Sequence, residues 1–508
     1  MNSRLQRQAS PKADTNQSMK EWLIQNKPSI VINLIGYLSV LVIIGLSNYP
    51  YVDDVVRQIN GMTNFAAHYS RWGSELFSWF IQGGRHLTDQ GITTFVISAL
   101  ILTMTSLLAL YLLYPNRKVP LAASVMSLFI GMNPWFLECV SFRFDGPFLS
   151  LSLFFCFVGY LTFRKKALYL LPSVAISVFL MCNTYQSSSG VAIIVALVLS
   201  YQSLLQGEKL QQVFPKLLFS ALGFVLGMLL YLVETSFNPE LSSRGDTVNI
   251  APLSQMPTKL VANAQAYFTE IIQNSAKIWI LMAVLVILGF ICYSFLTSKV
   301  PLGLTVIYLI LFIILASVLS YGLLLVFEVP LVETAGRYGG YGLSVLIALI
   351  GCMSVSEVRF RKFYIVQSVL LVWFMFYQFT FAYGYGYLLD NQRETMSFQT
   401  QLLTQDLKEV VTKNRKTIFS NQLYDVSPVV LNAQRNYPIL KKLIPDMNNP
   451  YWPNEFWLRS LTGLDVNLAP GSYDFSNFPV NDPTIKTVTK NQLYNIYINE
   501  NQIFVERK

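Results

Sequence analysis

Apolar residues fall in runs of about 17–25, the length a helix needs to cross a hydrocarbon core of about 30 Å. Eleven such runs are read, at about 29–47, 92–114, 119–136, 147–163, 167–183, 187–205, 217–237, 279–297, 302–329, 339–355 and 363–384. The stretch 167–205 fits either a hairpin or a re-entrant pair. Most connections are short; those over about 48–91 and 238–278 are long and polar. Within the first, Arg71, Glu75, Ser78 and Gln82 share one helical face, and Trp72, Leu76, Trp79 and Phe80 the other. That spacing suits a helix lying at headgroup level with its aromatic side in lipid.

After about 385 the apolar runs stop. There 394–413 has helical period, 417–419 reads as a strand, and 427–443 as a helix interrupted by Pro438. Residues 493–498 and 503–505 flank a hairpin signal at Asn499-Glu500-Asn501-Gln502. The expected architecture is an all-α polytopic membrane protein with three parts. These are a tail over 1–28, a membrane domain over 29–384 and a small α/β domain over 385–508.

Composition supports a membrane protein and excludes a water-soluble enzyme: 53% of residues are hydrophobic and 13% charged. The net charge of +9 is a topology signal rather than a nucleic-acid one. Basic residues gather in the N-terminal tail and in alternate connections, among them Arg117-Lys118, Arg164-Lys165-Lys166 and Arg361-Lys362. The positive-inside rule then places the N-terminus in the cytoplasm. Eleven crossings put loop 48–91 and residues 385–508 on the opposite, external side. No short apolar region with a small-residue cleavage site follows the tail, so the first span is expected to be an anchor. Five cysteines without CxxC spacing, and only two histidines, indicate neither a disulfide framework nor a zinc site.

The candidate chemistry lies on the external side. Asp53 and Asp54 follow the first span, where carboxylates are suited to act as general bases. They also suit capping of a helix that starts there, and Asp53 pairing with Arg57 one turn on, but their place in a long external loop favours a catalytic role for at least one of them. Three arginines, Arg85, Arg143 and Arg337, sit beside aromatic or glycine residues in external connections, and guanidinium forks match phosphate oxygens. Arg337 and Arg143 are the favoured phosphate ligands. Asp145, which precedes Gly146-Pro147, fits an N-cap or a catalytic role. Tyr185 and Gln186 occupy a tight turn from which they can reach a sugar, and Tyr338 adjoins Arg337. The aromatic run Tyr451–Trp457 suits sugar stacking or core packing. Neither Gly83-Gly84 nor Gly339-Gly340 forms a nucleotide fingerprint.

Several of these elements together resemble the bacterial serotype-converting (O-antigen) glucosyltransferases. They are Tyr51-Val52-Asp53-Asp54-Val55-Val56-Arg57, Arg71-Trp72, Gly83-Gly84-Arg85, Phe142-Arg143-Phe144-Asp145, Asn183-Thr184-Tyr185-Gln186 and Arg337-Tyr338. The resemblance covers roughly 29–384. It implies the multi-spanning glycosyltransferase fold called GT-C, a polyprenyl-phosphate sugar donor, and transfer on the outer face of a bacterial plasma membrane. Glucose is the usual donor sugar, and the acceptor is an O-antigen or, in a Gram-positive source, cell-wall polysaccharide or teichoic acid. The expected function is therefore transfer of a hexose from polyprenyl phosphate to a cell-surface glycan. No cofactor is required, since the phosphate leaves as a charged group held by arginine; a divalent metal is not excluded. The rivals are a flippase or transporter of lipid-linked sugars and a cell-wall assembly component. A transporter needs ionisable groups near the midplane, whereas here they crowd one rim.

Overall fold

The computed structural model describes residues 18–243, 249–332, 340–356, 359–411, 416–445 and 452–508. The protein is mostly helical, with a multi-pass apolar bundle and a small C-terminal sheet. The bundle begins with α1 (Lys27–Leu46). The first connection folds into three short helices, α2 (Asp54–Asn60), α3 (Phe65–Tyr69) and α4 (Trp72–Gln82), before α5 (Thr93–Leu113). Helix α6 (Leu121–Met132) meets α7 (Pro134–Ser141) at a bend of 56°. Pro134 opens α7, and the Asn133 side chain caps it by accepting the Phe136 N–H at 3.0 Å.

Next come α8 (Gly146–Val158), α9 (Leu170–Tyr185), α10 (Ser189–Leu205) and α11 (Leu210–Ser236). The chain reverses between α9 and α10. The Gly159 N–H donates to Ser177 Oγ at 3.0 Å, while the adjacent Tyr160 hydroxyl donates to the Ala192 carbonyl at 2.8 Å. Ser177 and Ala192 are separated by about 22 Å in a continuous helix, so 167–205 is a hairpin. The bundle closes with α12 (Met256–Asn274), α13 (Lys277–Thr297), α14 (Leu302–Leu319), α15 (Tyr341–Ser354) and α16 (Arg361–Leu407).

Seven stretches among the described residues are long and apolar enough to cross a membrane, counting 167–205 once. The bent pair α6–α7 makes an eighth, and α8 and α15 are shorter apolar helices. The run expected at 302–329 ends as an α-helix at Leu319, because Gly322 adopts a left-handed φ of 61° against Ser189 and Gly190. The span at 363–384 and the helix at 394–413 are one 47-residue helix, α16, about 70 Å long. It carries the chain straight from the bundle into the C-terminal domain.

That domain is a five-stranded sheet in the order β2-β1-β5-β4-β3, formed by β1 (Lys416–Ser420), β2 (Val466–Leu468), β3 (Lys486–Lys490), β4 (Tyr494–Ile498) and β5 (Gln502–Arg507). The expected hairpin is the antiparallel β4–β5 pair, and β1 lies parallel to β5 and β2. The expected interrupted helix is Pro428–Gln434 followed by a single turn, Leu440–Leu443. In the helix Trp452–Thr462, Trp457 and Leu458 are buried, so Trp457 serves the core. The domain sits on the same end of the bundle as α2: that helix packs against α2, and the Tyr51 hydroxyl donates to the Leu443 carbonyl at 2.7 Å. The aromatic face of α4 points outward, with Phe80 85% exposed, while Ser74, Glu75 and Ser78 are buried.

Without a hydrophobic drive between helices in lipid, close backbone contact at small residues holds such a bundle together. Gly223 and Gly227, four apart on α11, bring it against α9: an added Cβ would lie 2.7 Å from the Leu171 carbonyl oxygen and 2.6 Å from that of Ala175. The Gly227→Val protein is therefore expected to unfold at a lower temperature in detergent, through an overpacking cost of about 1–3 kcal/mol. The outward-facing Val225→Ile change should leave the transition in place. Equal thermal-unfolding midpoints for Gly227→Val and the parent would refute this packing.

Candidate active site

The chain leaves α1 through two non-glycine residues in the left-handed region, Asn48 (φ 49°) and Val52 (φ 44°). A β-branched residue is rarely found there, and such a conformation costs about 1–3 kcal/mol. The consequence is that Asp53 and Asp54 leave the turn in different directions. The Asp54 carboxylate is fully buried and accepts backbone N–H groups from Tyr51 (3.2 Å), Arg143 (3.0 Å) and Phe144 (3.5 Å). Burial pushes its pKa up to about 7, opposed by the Arg143 amide and guanidinium, by Arg57 and by the Phe144 amide. Asp53 stays partly exposed and faces a cavity. It occupies the N-cap position of α2 yet makes no side-chain capping bond, so capping does not account for it.

Arg57 binds the carboxylates together. It is buried, ion-paired through Nη1 to Asp145, with Nη2 3.7 Å from Asp53 and its guanidinium carbon 4.6 Å from the Phe65 ring centre. Burial lowers its pKa, and Asp53 and Asp54 act to raise it. Asp145 likewise stands at the N-cap of α8 without capping it, because Arg57 takes its carboxylate.

The cavity beside them is about 70 Å³, walled by Asp53, Asp145, Tyr69, Arg71, Phe142, Leu149 and Tyr185. It has room for about two waters at about 30 Å³ each, the scale of one phosphoryl group. Arg71 supplies its available positive charge. Its guanidinium lies between the Tyr69 and Tyr185 rings, 4.9 Å from each centre, and Nε donates to Gln186 Oε1 at 3.2 Å. The terminal nitrogens have no hydrogen bond among the described residues. Gln186 is itself fixed by Tyr231 and by the Tyr69 carbonyl. Ser70, at φ 51°, turns the chain so that Tyr69 and Arg71 face the same cavity. The arrangement pairs a carboxylate that can take a proton with a guanidinium fork that can hold an anion, both backed by aromatic rings.

The structure thus brings together Asp53, Asp145, Tyr185 and Gln186, with Asp54 directly behind them. It does not bring in Arg143, whose guanidinium is buried on Asp89 (2.5 Å) and Asn48 (2.6 Å) and holds the two ends of loop 48–91. Arg85 is exposed and stacks on Trp79 at 4.7 Å. Arg337 and Tyr338 lie outside the described residues. Among the described residues, no group of three or more His, Cys, Asp or Glu is placed to hold a metal ion. Sequence reasoning gave no site role to Arg71, Tyr69 or Asp89. Arg57 carried a readable signal in its spacing of four from Asp53, and Arg71 entered only through the polar face of its helix and the Arg71-Trp72 element.

A family model described as Glucosyl transferase GtrII matches residues 42–348. The match begins at the end of α1, includes every wall of the cavity and stops before the C-terminal domain. No match was found among curated proteins or solved structures.

The buried Asp54 makes folding pH-dependent with a definite sign. Its folded pKa is about 7 against an ordinary 3.8, so between those values the folded protein holds a proton that the unfolded chain has released. This contribution is full below about pH 4, is lost as pH rises to about 7, and is flat above. Thermal unfolding in detergent from pH 4 to 8 should show this loss in the parent and its absence in Asp54→Asn. Parallel pH profiles for the two proteins would refute the assignment.

Proposed function

The chain belongs to the glucosyl transferase GtrII family, and we propose that it transfers glucose from a polyprenyl-phosphate donor to a cell-surface glycan on the outer face of a bacterial plasma membrane. The observation that carries this reading is the rim cavity in which Asp53 and the Arg71 fork, unpaired at its terminal nitrogens among the described residues, face the same small volume. In the proposed reaction an acceptor hydroxyl attacks the anomeric carbon, the bond from that carbon to the phosphate oxygen breaks, and Asp53 takes the hydroxyl proton. Arg71 stabilises the negative charge that builds on the leaving polyprenyl phosphate. Arg57 orients Asp53, with Asp145 as its second carboxylate partner. Asp54 and Arg143 position the loop. Arg337 and Tyr338 remain candidates for the same phosphate from the connection before α15.

Topology supports the outer face. Among the described residues seven stretches, or eight with α6–α7, are long and apolar enough to cross; the proposed topology adds α8, α15 and the second arm of the 167–205 hairpin to make eleven crossings. A cytoplasmic N-terminus then puts the cavity and the domain over 385–508 outside together. An apolar groove of about 250 Å³ between Trp135, Phe268, Trp279, Leu343 and Phe374 offers a surface for a prenyl chain. The C-terminal domain, packed on α2, would cover the catalytic face and help select the acceptor.

The test is transfer by the purified protein from polyprenyl-phosphate glucose to surface glycan. Asp53→Asn should lower kcat by about 10²–10⁴ with the protein still folded. Arg71→Ala should raise the donor KM, and Arg71→Lys should recover only part of the loss, because lysine has no fork. Full activity in Asp53→Asn would refute the base. Movement of the lipid across the membrane without a new glycosidic bond would refute the reaction.

A further inference from the structure

Beside α3 lies a second and larger cavity, of about 500 Å³. Its walls include Trp72, Trp79, Asn64, Glu75, Glu234 and Asn238. Ala66 and Ala67 of α3 face it, while Tyr69 of the same helix faces the catalytic cavity. Ala66 and Tyr69 are three positions apart, about 4.5 Å of rise. The two cavities are thus lined by neighbouring residues of one short helix.

The larger cavity has the chemistry of a carbohydrate site. Trp72 is 48% exposed, and Trp79 has one ring face near Arg85 and also lines the cavity. Indole rings pack on the apolar face of a sugar. Two polar atoms of wall residues, the acceptor Glu234 Oε1 and the donor Trp79 Nε1, are buried and have no hydrogen-bond partner among the described residues. The other Glu234 oxygen accepts from Asn183 at 2.8 Å, which fixes the carboxylate. Asn238 is held to Ala66, Ala67 and Ser70, so the wall is anchored to the helix that also shapes the catalytic cavity.

Charge then selects the kind of sugar. Glu75, Glu234 and Glu240 all line this cavity, and among the described residues no lysine or arginine does. Glu240 meets His68 at 2.9 Å, and Glu75 is engaged by the Phe65 and Ala66 amides. An acidic, aromatic pocket disfavours phosphate and accepts uncharged hydroxyls. We propose that this cavity is the acceptor subsite and binds an uncharged hexose unit of the glycan, so that the acceptor is a neutral polysaccharide rather than a polyol-phosphate polymer. The inference rests on the glycosyltransferase reading above and adds the acceptor's chemical class.

The test uses the full-length protein in nanodiscs, polyprenyl-phosphate glucose, and two purified surface-glycan fractions, one neutral and one rich in polyol phosphate. The neutral fraction should be glycosylated. Trp72→Ala and Glu234→Gln should each raise its KM about tenfold while leaving the donor KM unchanged. Trp72 is exposed and Glu234→Gln nearly isosteric, so both variants should fold. An unchanged acceptor KM, a raised donor KM, or transfer to the polyol-phosphate fraction alone would overturn the subsite and leave the enzyme reading intact. If no transfer occurs at all, the enzyme reading falls, and binding decides the subsite: saturation-transfer NMR of neutral fragments, present in the parent and lost in Trp72→Ala, sustains it. Absence of that signal in the parent overturns it.

Discussion

A carboxylate sealed away from solvent governs this end of the molecule. Withdrawing one ion from water costs several kcal/mol, and a hydrogen bond to a charged group returns about 1.5–3 kcal/mol. Asp54 therefore needs the amides of Tyr51, Arg143 and Phe144 together. Two of those amides belong to the turn between α7 and α8, so the first loop cannot shift against the bundle without stranding a buried carboxyl group and the amides that bond it. Everything in the cavity is referred to that joint. Val52 in its left-handed conformation turns Asp53 to the open side, and Arg57, one turn along α2, reaches Asp145.

Tyr51 carries the same constraint outward. Its amide serves Asp54, its ring meets Phe142 edge-on at 4.8 Å between centres, and its hydroxyl donates to Leu443 of the C-terminal domain. Tyr385 of α16 donates to the same Leu443 carbonyl and bonds Ser141 at the end of α7. Lys442 adds an ion pair to Glu270 on α12 at 2.5 Å. The domain is thus fastened at the residues next to the buried joint. Of the arginines near it among the described residues, Arg57 and Arg143 are occupied by carboxylates, and that leaves Arg71 for an anion.

The sequence discloses the apolar runs and the loop that carries the acidic pair, because both follow from local composition. The outward aromatic face of α4 is legible for the same reason, through its spacing. What separates Asp53 from Asp54 is one strained φ at Val52, which no pattern of residue types reveals. Arg143 looked free because its partners, Asp89 and Asn48, are 54 and 95 residues away in sequence. Arg71 gains its place from two tyrosines on separate elements, again a tertiary fact. The join of 363–384 to the next helix was hidden by an abrupt change in composition, although the backbone runs through it unbroken.

The central claim is that the Arg71 fork and Asp53 face one reacting group. A cryo-electron microscopy structure of the Asp53→Asn protein with polyprenyl-phosphate glucose bound tests it most directly. The account predicts the phosphate against the terminal nitrogens of Arg71, between Tyr69 and Tyr185, with the anomeric carbon turned toward residue 53. A phosphate bound away from Arg71, with the sugar out of reach of residue 53, would contradict it.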